Sequence, residues 1–88
     1  MMTLDQIKAE LEKIVGDLRL TEAEVEAEQV GKWVHVRISS GDFRGKSPSE
    51  RDNLIWREFE RRFDDETILS ITQCYLLTPE QRETVLVT

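Results

Sequence analysis

The chain has few of the residues that most often perform chemistry. Its 88 residues include one cysteine, one histidine and two prolines. The single cysteine, Cys74, excludes an internal disulfide and every paired-cysteine metal or redox motif. A Cys–His catalytic pair would need His35 and Cys74 to be adjacent, with a third group orienting the imidazole, and no GxSxG elbow is present. We therefore expect a protein that is not an enzyme, uses no cofactor and functions in the reducing cytoplasm.

Long apolar runs are also absent. No stretch approaches the roughly 20 apolar residues that a membrane helix needs, and the N-terminal segment follows an amphipathic, acid-containing pattern that differs from a signal peptide. We expect no membrane association. An apolar share of 39% and a charged share of 34% are typical of a globular domain. The length predicts a single domain spanning residues 1–88.

Positive charge is in short supply overall, with a net charge of −6. This argues against a general nucleic-acid binder, because neutralising phosphates normally requires a surplus of Lys and Arg. The charge is unevenly distributed, however. Residues 31–63 hold eight basic and five acidic residues, whereas residues 1–30 hold three basic and eight acidic ones. A local anionic partner for the middle segment therefore stays open.

The hydrophobic pattern predicts six secondary-structure elements. Helix starts are indicated by three cap pairs, Thr3–Gln6, Ser47–Glu50 and Thr78–Gln81. Alternation predicts strands over 20–30 and 32–39 around Gly31, with Val34, Val36 and Ile38 facing the core, and β-branched residues predict a third over 67–77. The order α-β-β-α-β-α predicts an α+β two-layer sandwich with a three-stranded sheet packed on helices. Periodicity leaves open whether the second and third strands pair in parallel or lie at opposite edges.

The segment "SGDFRGKSPSERDNLIW", residues 40–56, contains the strongest candidate binding residues. Arg44 and Lys46 flank Gly45 just before a helix start, where free N–H groups and the helix dipole favour anions. It is not a Walker loop, because the upstream glycine is at the wrong distance. Two interpretations remain. Either Arg44, Gly45, Lys46 and Arg51 form a basic rim for a partner or nucleic acid, or the segment is a turn with Phe43 folded into the core.

The same segment resembles the signature of BolA-like proteins. A strand ends in Ser and is followed by Phe, x-Gly, an Arg at the helix start and spaced hydrophobic residues, here Ser40, Phe43, Gly45, Arg51, Ile55–Trp56, Phe59 and Phe63. "LTPEQ" at 77–81 is similar to the family's last-helix motif, and the resemblance covers residues 3–83. It implies a class II KH-like fold in which Ser40, Phe43 and Trp56 are structural, as Ser47 is by capping the helix. It also implies a monothiol glutaredoxin as the suspected partner.

The chain departs from this family at its metal ligands. In BolA-like proteins a histidine on the third strand binds a shared 2Fe–2S cluster, and the matching position here is Ile68 or Ser70, with no histidine in 64–82. These side chains cannot replace an imidazole as an iron ligand. The family's Arg-x-Arg pair is also incomplete, because Asp52 and Asn53 follow Arg51, and Arg82 replaces a Trp.

Three functional hypotheses follow. The first is a non-catalytic BolA-like interaction module that binds a monothiol glutaredoxin or another protein without its own Fe–S ligands. The second is a KH-like nucleic-acid-binding transcriptional regulator that uses the basic loop and helix start. A KH GXXG loop fits poorly, since the Gly41–Gly45 spacing has one residue too many. The third is a structural or oligomerisation domain.

Overall fold

The computed structural model describes residues 1–87 and the side chains of residues 1–84. Its main elements follow the predicted order, with one additional short helix and a 3-10 turn. They are α1 (Leu4–Asp17), β1 (Glu24–Val30), β2 (Trp33–Ser39), the 3-10 turn (Gly41–Phe43), α2 (Pro48–Arg62), α3 (Asp65–Ser70), β3 (Ile71–Leu77) and α4 (Pro79–Val87). The predicted α+β class and the order α-β-β-α-β-α are confirmed.

The three strands form one mixed sheet with β2 in the centre. β1 and β2 are an antiparallel hairpin, and β3 pairs with β2 in parallel, which settles the question that periodicity left open. The hairpin turn lies at Gly31, whose φ of 62° is accessible to glycine at no steric cost. The chain crosses from β2 to β3 through α2 and α3, as a parallel pair requires.

One face of the sheet and the two longest helices enclose the core. Apolar residues recur in α1 and α2 at the helical period and in β2 at every second position, so that they face the core. The fully buried ones are Ile7, Leu11, Ile14, Val34, Val36, Ile38, Ile55 and Phe59. The predicted core positions of β2 are therefore confirmed. Phe43, which comes from the loop between β2 and α2, is also fully buried and joins the same cluster.

All three predicted capping boxes are present. The Thr3 and Ser47 side chains accept hydrogen bonds from the backbones of Gln6 and Glu50, whose side chains accept in return from the cap backbones. Thr78 and Gln81 exchange the same two bonds at the start of α4, at 2.9 and 3.1 Å. Each box satisfies two backbone N–H groups that have no partner within the helix. None of the helices within residues 1–87 is long and apolar enough to cross a membrane.

The predicted strand over 67–77 is wrong in its first four residues. Residues 67–70 belong to α3, and β3 begins at Ile71. The cause is Asp64, whose carboxylate accepts a hydrogen bond of 2.7 Å from the Thr67 backbone and caps a helical turn. This cap outweighs the strand preference of β-branched Thr67 and Ile68.

Candidate interaction surfaces

The 40–51 segment, which comprises the loop before α2 and the first turn of that helix, is fastened to the rest of the molecule through Ser40 and Asp42. The buried Ser40 hydroxyl donates a hydrogen bond of 2.7 Å to the Thr21 carbonyl, and the Ser40 backbone N–H donates to the Leu77 carbonyl at 3.0 Å. The Asp42 carboxylate accepts from both the backbone N–H and the hydroxyl of Thr21. The Thr21 backbone N–H, as the main cause, lowers the pKa of Asp42. The loop is therefore held against the segment that precedes β1.

Phe43 fills the space beneath this loop. Its side chain is fully buried, and the guanidinium of Arg51 lies 5.8 Å from the ring centroid. Two residues later Gly45 has a φ of 78°, a left-handed backbone that L side chains rarely adopt. Ser47 then caps α2, and Trp56 lies half-buried on that helix with its ring 4.9 Å from that of Phe59 in an edge-to-face contact. The four residues interpreted as structural thus contact the core or a helix start.

Arg51 is bound within the molecule. Its guanidinium donates hydrogen bonds to the carbonyls of Lys46 and Leu76 and to the side chain of Gln81, all between 2.9 and 3.0 Å. These bonds join the start of α2 to the end of β3. Buried or half-buried carbonyls that lose a donor cost free energy, so an anion cannot recruit this side chain without a penalty.

Arg44 is paired as well, but at the surface. It donates to Glu22 at 3.0 Å and to Glu80 at 2.9 Å, and the hydrogen bond to Glu22 is the main cause that raises the pKa of Arg44. All three side chains are about half exposed, so these pairs add little stability. Lys46, the third predicted rim cation, has no ion pair or side-chain hydrogen bond with any described residue.

The candidate Cys–His pair does not form. His35 and Cys74 lie on neighbouring strands, but Cys74 is opposite Val36 and packs against the core, whereas His35 is opposite Gln73 on the other face of the sheet. Desolvation by burial, with a smaller effect of Asp52, raises the pKa of the Cys74 thiol to about 12. Cys74 is therefore a neutral thiol at physiological pH and a poor nucleophile.

The iron–sulfur cluster that the family resemblance implies does not fit these residues. Ile68 and Ser70, the two candidate ligand positions, lie on α3 and have no imidazole or thiolate. Among the residues that the structure describes, no group of three or more His, Cys, Asp or Glu side chains could hold a metal ion. We derive no cluster chemistry for this chain.

A second surface, which the sequence did not indicate as a site, lies on the side of the sheet opposite the core. We call it the open face. Three of the most exposed large apolar side chains of the molecule, Val30, Trp33 and Tyr75, project from it with exposed fractions of 40%, 41% and 47%. A cavity of about 770 Å³ extends over it, lined among others by Lys8, Glu28, His35, Gln73 and Tyr75. Aromatic residues in such positions are typical of protein interfaces.

The charges on the open face are largely compensated. Arg37 donates to Glu26 at 2.9 Å, and Arg82 of α4 forms ion pairs with Glu24 and Glu26 at 2.8 and 2.7 Å. The Nε atom of Arg37 is buried and has no hydrogen-bond partner among residues 1–84. Two of the three glutamates of β1, Glu24 and Glu26, are thus paired with arginines, and Glu28 is the one that forms no ion pair with a described residue.

The signal for the open face was present in the sequence. Trp33, His35 and Arg37 alternate with the core residues of β2, which predicts that they share the other face. The sequence could not show whether a helix covers that face. Comparisons with protein-family models, with curated proteins and with solved structures found no match to this chain.

Proposed function

We propose that this chain is a non-catalytic BolA-like module that binds a protein partner through the open face of its sheet, in the cytoplasm and without Fe–S ligands of its own. The observation that supports the proposal best is the grouping of Val30, Trp33 and Tyr75 as exposed side chains on one face. The BolA resemblance adds support, because the order of elements that it implies is also the observed one. A monothiol glutaredoxin is the first partner to test.

Trp33 is the side chain expected to contribute most to this binding. Trp and Tyr dominate the energetics of protein interfaces, and truncating a central one typically costs about 2 kcal/mol or more, or roughly thirty-fold in affinity. Trp33 is also the tryptophan of the open face, and the Lys32 ammonium lies 4.8 Å from its ring centroid. Removing Trp33 should therefore weaken the complex without unfolding the protein.

To test this, monothiol glutaredoxin is titrated with the wild-type protein and, separately, with Trp33→Ala. Calorimetry measures the affinity in each titration. We expect binding by the wild type and a roughly thirty-fold loss for the variant. Leu69→Ala is the matched control, because Leu69 is an exposed apolar residue of α3 that lies off the open face. Equal affinity of wild type and Trp33→Ala would contradict the proposal. Absence of glutaredoxin binding would exclude glutaredoxin as the partner. The wild-type protein and Trp33→Ala would then be used as baits to capture another partner from lysate.

The same mixture tests for a shared cluster. With iron and sulfide supplied anaerobically, we expect a visible spectrum identical to that of the glutaredoxin alone, because Ile68 and Ser70 provide no ligand. A shifted spectrum that depends on this protein would contradict that expectation. The readout is independent of affinity, so it separates binding from cluster sharing.

A KH-like nucleic-acid-binding role is the second candidate. It is favoured by Lys46, which lies just before α2 and whose side chain forms no ion pair or hydrogen bond with the described residues, and it is weakened by the internal contacts of Arg51. We expect no binding of single-stranded DNA or RNA at about 50 mM salt. A salt-dependent affinity that falls in Lys46→Ala, but not in Lys13→Ala on α1, would make this the better proposal.

A further inference from the structure

Arg37 places a cation at the centre of the open face. It lies on β2, the middle strand, where it is opposite Glu26 of β1 and Tyr75 of β3. Its side chain is 26% exposed and lines the cavity of about 770 Å³ over that face. In binding cavities a small number of polar groups fix the orientation of what binds. Arg37 is therefore in the position of such a group.

The guanidinium of Arg37 uses only part of its hydrogen-bonding capacity within the molecule. Its Nη1 atom donates to Glu26 at 2.9 Å. On the edge formed by Nε and Nη2, Nε is buried and has no acceptor among residues 1–84, and Nη2 forms no hydrogen bond with those residues. Two parallel N–H groups on one edge match the two oxygens of a carboxylate. A buried donor without an acceptor lowers the stability of the free protein, and a partner that supplies the acceptor removes that cost.

The Glu26 carboxylate holds Arg37 in place without occupying this edge. Its Oε2 atom accepts from Arg37, and its Oε1 atom accepts from Arg82 at 2.7 Å. Arg82 is in turn paired with Glu24 at 2.8 Å. Two arginines and two glutamates thus compensate each other in charge, while the Nε–Nη2 edge stays without an acceptor. Because the guanidinium is oriented before a partner arrives, less conformational freedom is lost on binding.

The other polar groups of the cavity indicate which chemistry fits it. The Tyr75 hydroxyl donates to the side-chain oxygen of Gln73 at 2.9 Å, so the Gln73 amide NH₂ group is left as a donor. Lys8 and Glu28 also line the cavity, and neither forms an ion pair with a described residue, so their charges offset each other. His35 can add an N–H donor. The available groups are therefore mostly donors, which favours an anionic group.

The overall charge limits how acidic the partner can be. With a net charge of −6, the chain repels a strongly acidic protein, and Glu28 opposes a run of acidic residues along β1. A single carboxylate avoids most of this repulsion, because it is in direct contact with a guanidinium and exposed charges more than about 8 Å away are largely screened at physiological salt.

We propose that the open face recognises its protein partner through one Asp or Glu side chain, whose carboxylate binds the Nε–Nη2 edge of Arg37 while neighbouring apolar side chains pack on Tyr75 and Trp33. The carboxylate reaches the exposed part of the guanidinium first, and rotation about the outer side-chain torsions of Arg37 brings the covered Nε to its second oxygen. This inference rests on the proposed function, since it assigns the partner's chemistry on the same face. Arg37 then supplies specificity, and the aromatic rings supply most of the affinity.

The first experiment titrates the protein with blocked peptides and follows the Arg37 Nε–H and Tyr75 backbone N–H signals by NMR. The peptide acetyl-Leu-Ala-Glu-Ala-Leu-amide should shift both signals, and the same peptide with Gln in place of Glu should shift neither. Arg37→Lys keeps the charge but lacks the two-donor edge, so it should bind the Glu peptide roughly ten-fold more weakly. Arg57→Lys, an exposed arginine of α2, is the matched control and should bind as the wild type does. A Glu peptide that leaves the Arg37 signal in place, or a Gln peptide that binds equally well, overturns the proposal.

Sodium acetate at the same concentration separates a protein segment from a free carboxylate. It should shift the Arg37 signal less than the Glu peptide does, because it lacks the leucines that share a face with the Glu side chain and pack beside Tyr75. An equal shift would overturn the assignment to a protein segment.

The second experiment compares Arg37→Gln with Trp33→Ala in the calorimetric titration with monothiol glutaredoxin, or with the partner that replaces it. We expect both variants to bind more weakly, Arg37→Gln by roughly ten-fold. A loss in Trp33→Ala alone overturns recognition of a carboxylate and leaves the proposed function in place. A loss in neither variant overturns the proposed function itself, so the two failures can be told apart.

Discussion

The 40–51 segment, called the loop below, and the open face differ in what their side chains do. The loop is rich in cations, yet Arg44 and Arg51 are bound to groups of the same molecule and Phe43 is buried. The open face is mostly formed by residues that look ordinary in the sequence, yet Trp33 and Tyr75 are exposed on it. Side chains with satisfied partners stabilise the fold, whereas exposed aromatic rings are available to a partner. Substitutions in the loop should therefore change stability, and those on the face should change binding.

The largest expected effect is that of Phe43→Ala. Truncating a fully buried Phe removes its burial and leaves a cavity, which together cost about 3–5 kcal/mol of unfolding free energy. Trp33→Ala on the open face should cost only about 0.5 kcal/mol, as for an ordinary surface substitution. Urea denaturation followed by circular dichroism measures both. Similar losses for the two variants would mean that the loop and the face do not differ in this way.

Arg51→Ala should have the next largest effect. It leaves the carbonyls of Lys46 and Leu76 without a donor, which we expect to cost about 1–3 kcal/mol. Arg57→Ala is the matched control, because Arg57 is an exposed residue of the same helix that forms no ion pair with the described residues. The urea midpoints of the two variants make the comparison. A loss no larger than that of the control would show that Arg51 is free for a partner after all.

Two glycine substitutions should act in opposite directions. Gly45→Ala forces alanine into a left-handed backbone at a cost of about 1–2 kcal/mol, and the space around it is otherwise open. Gly16→Ala, inside α1 with nothing within 4 Å of an added methyl group, should stabilise the protein by about 0.5–1 kcal/mol. Thermal unfolding of both variants shows whether each substitution raises or lowers the stability. A stabilising Gly45→Ala would contradict the left-handed turn.

The smallest expected effect is a pH dependence at Asp42. Its pKa is lowered in the folded protein, so its contribution to stability is present above its ordinary value of 3.8 and is lost as the pH falls through the lower folded value. The advantage of wild type over Asp42→Asn should therefore shrink between about pH 5 and pH 2. Urea midpoints across this interval measure it, with Glu12→Gln on the exposed side of α1 as the control. A constant difference would exclude this linkage.

Local signals in the sequence were enough to predict most of the fold. Cap residues and their partners are three positions apart, so Thr3, Ser47 and Thr78 could be identified without knowing the tertiary structure. The start of β3 was predicted too early because Thr67 and Ile68 are β-branched, whereas Asp64 caps a short helix at Thr67. In that segment a local hydrogen bond competed with β-branched side chains, and the sequence does not say which effect is larger.

The candidate sites were harder to predict because their contacts are distant in the sequence. Glu22 and Glu80 lie 22 and 36 positions from Arg44, and the Leu76 carbonyl lies 25 positions from Arg51. The sequence therefore identified Arg44, Lys46 and Arg51 as neighbouring cations, but it could not identify the groups that Arg44 and Arg51 bind within the molecule. The burial of Phe43 was one of two interpretations, and the structure supports it. Exposure of the open face depended on where α4 lies, which periodicity does not determine.

The burial of Cys74 has a practical consequence for observing this protein. Its thiol is protonated and only partly exposed, so it should react slowly with alkylating reagents while β3 stays packed against the core. Because the chain has one cysteine, the rate of alkylation in native buffer would report on that one position. The protein thus contains its own kinetic probe on the edge strand of its sheet.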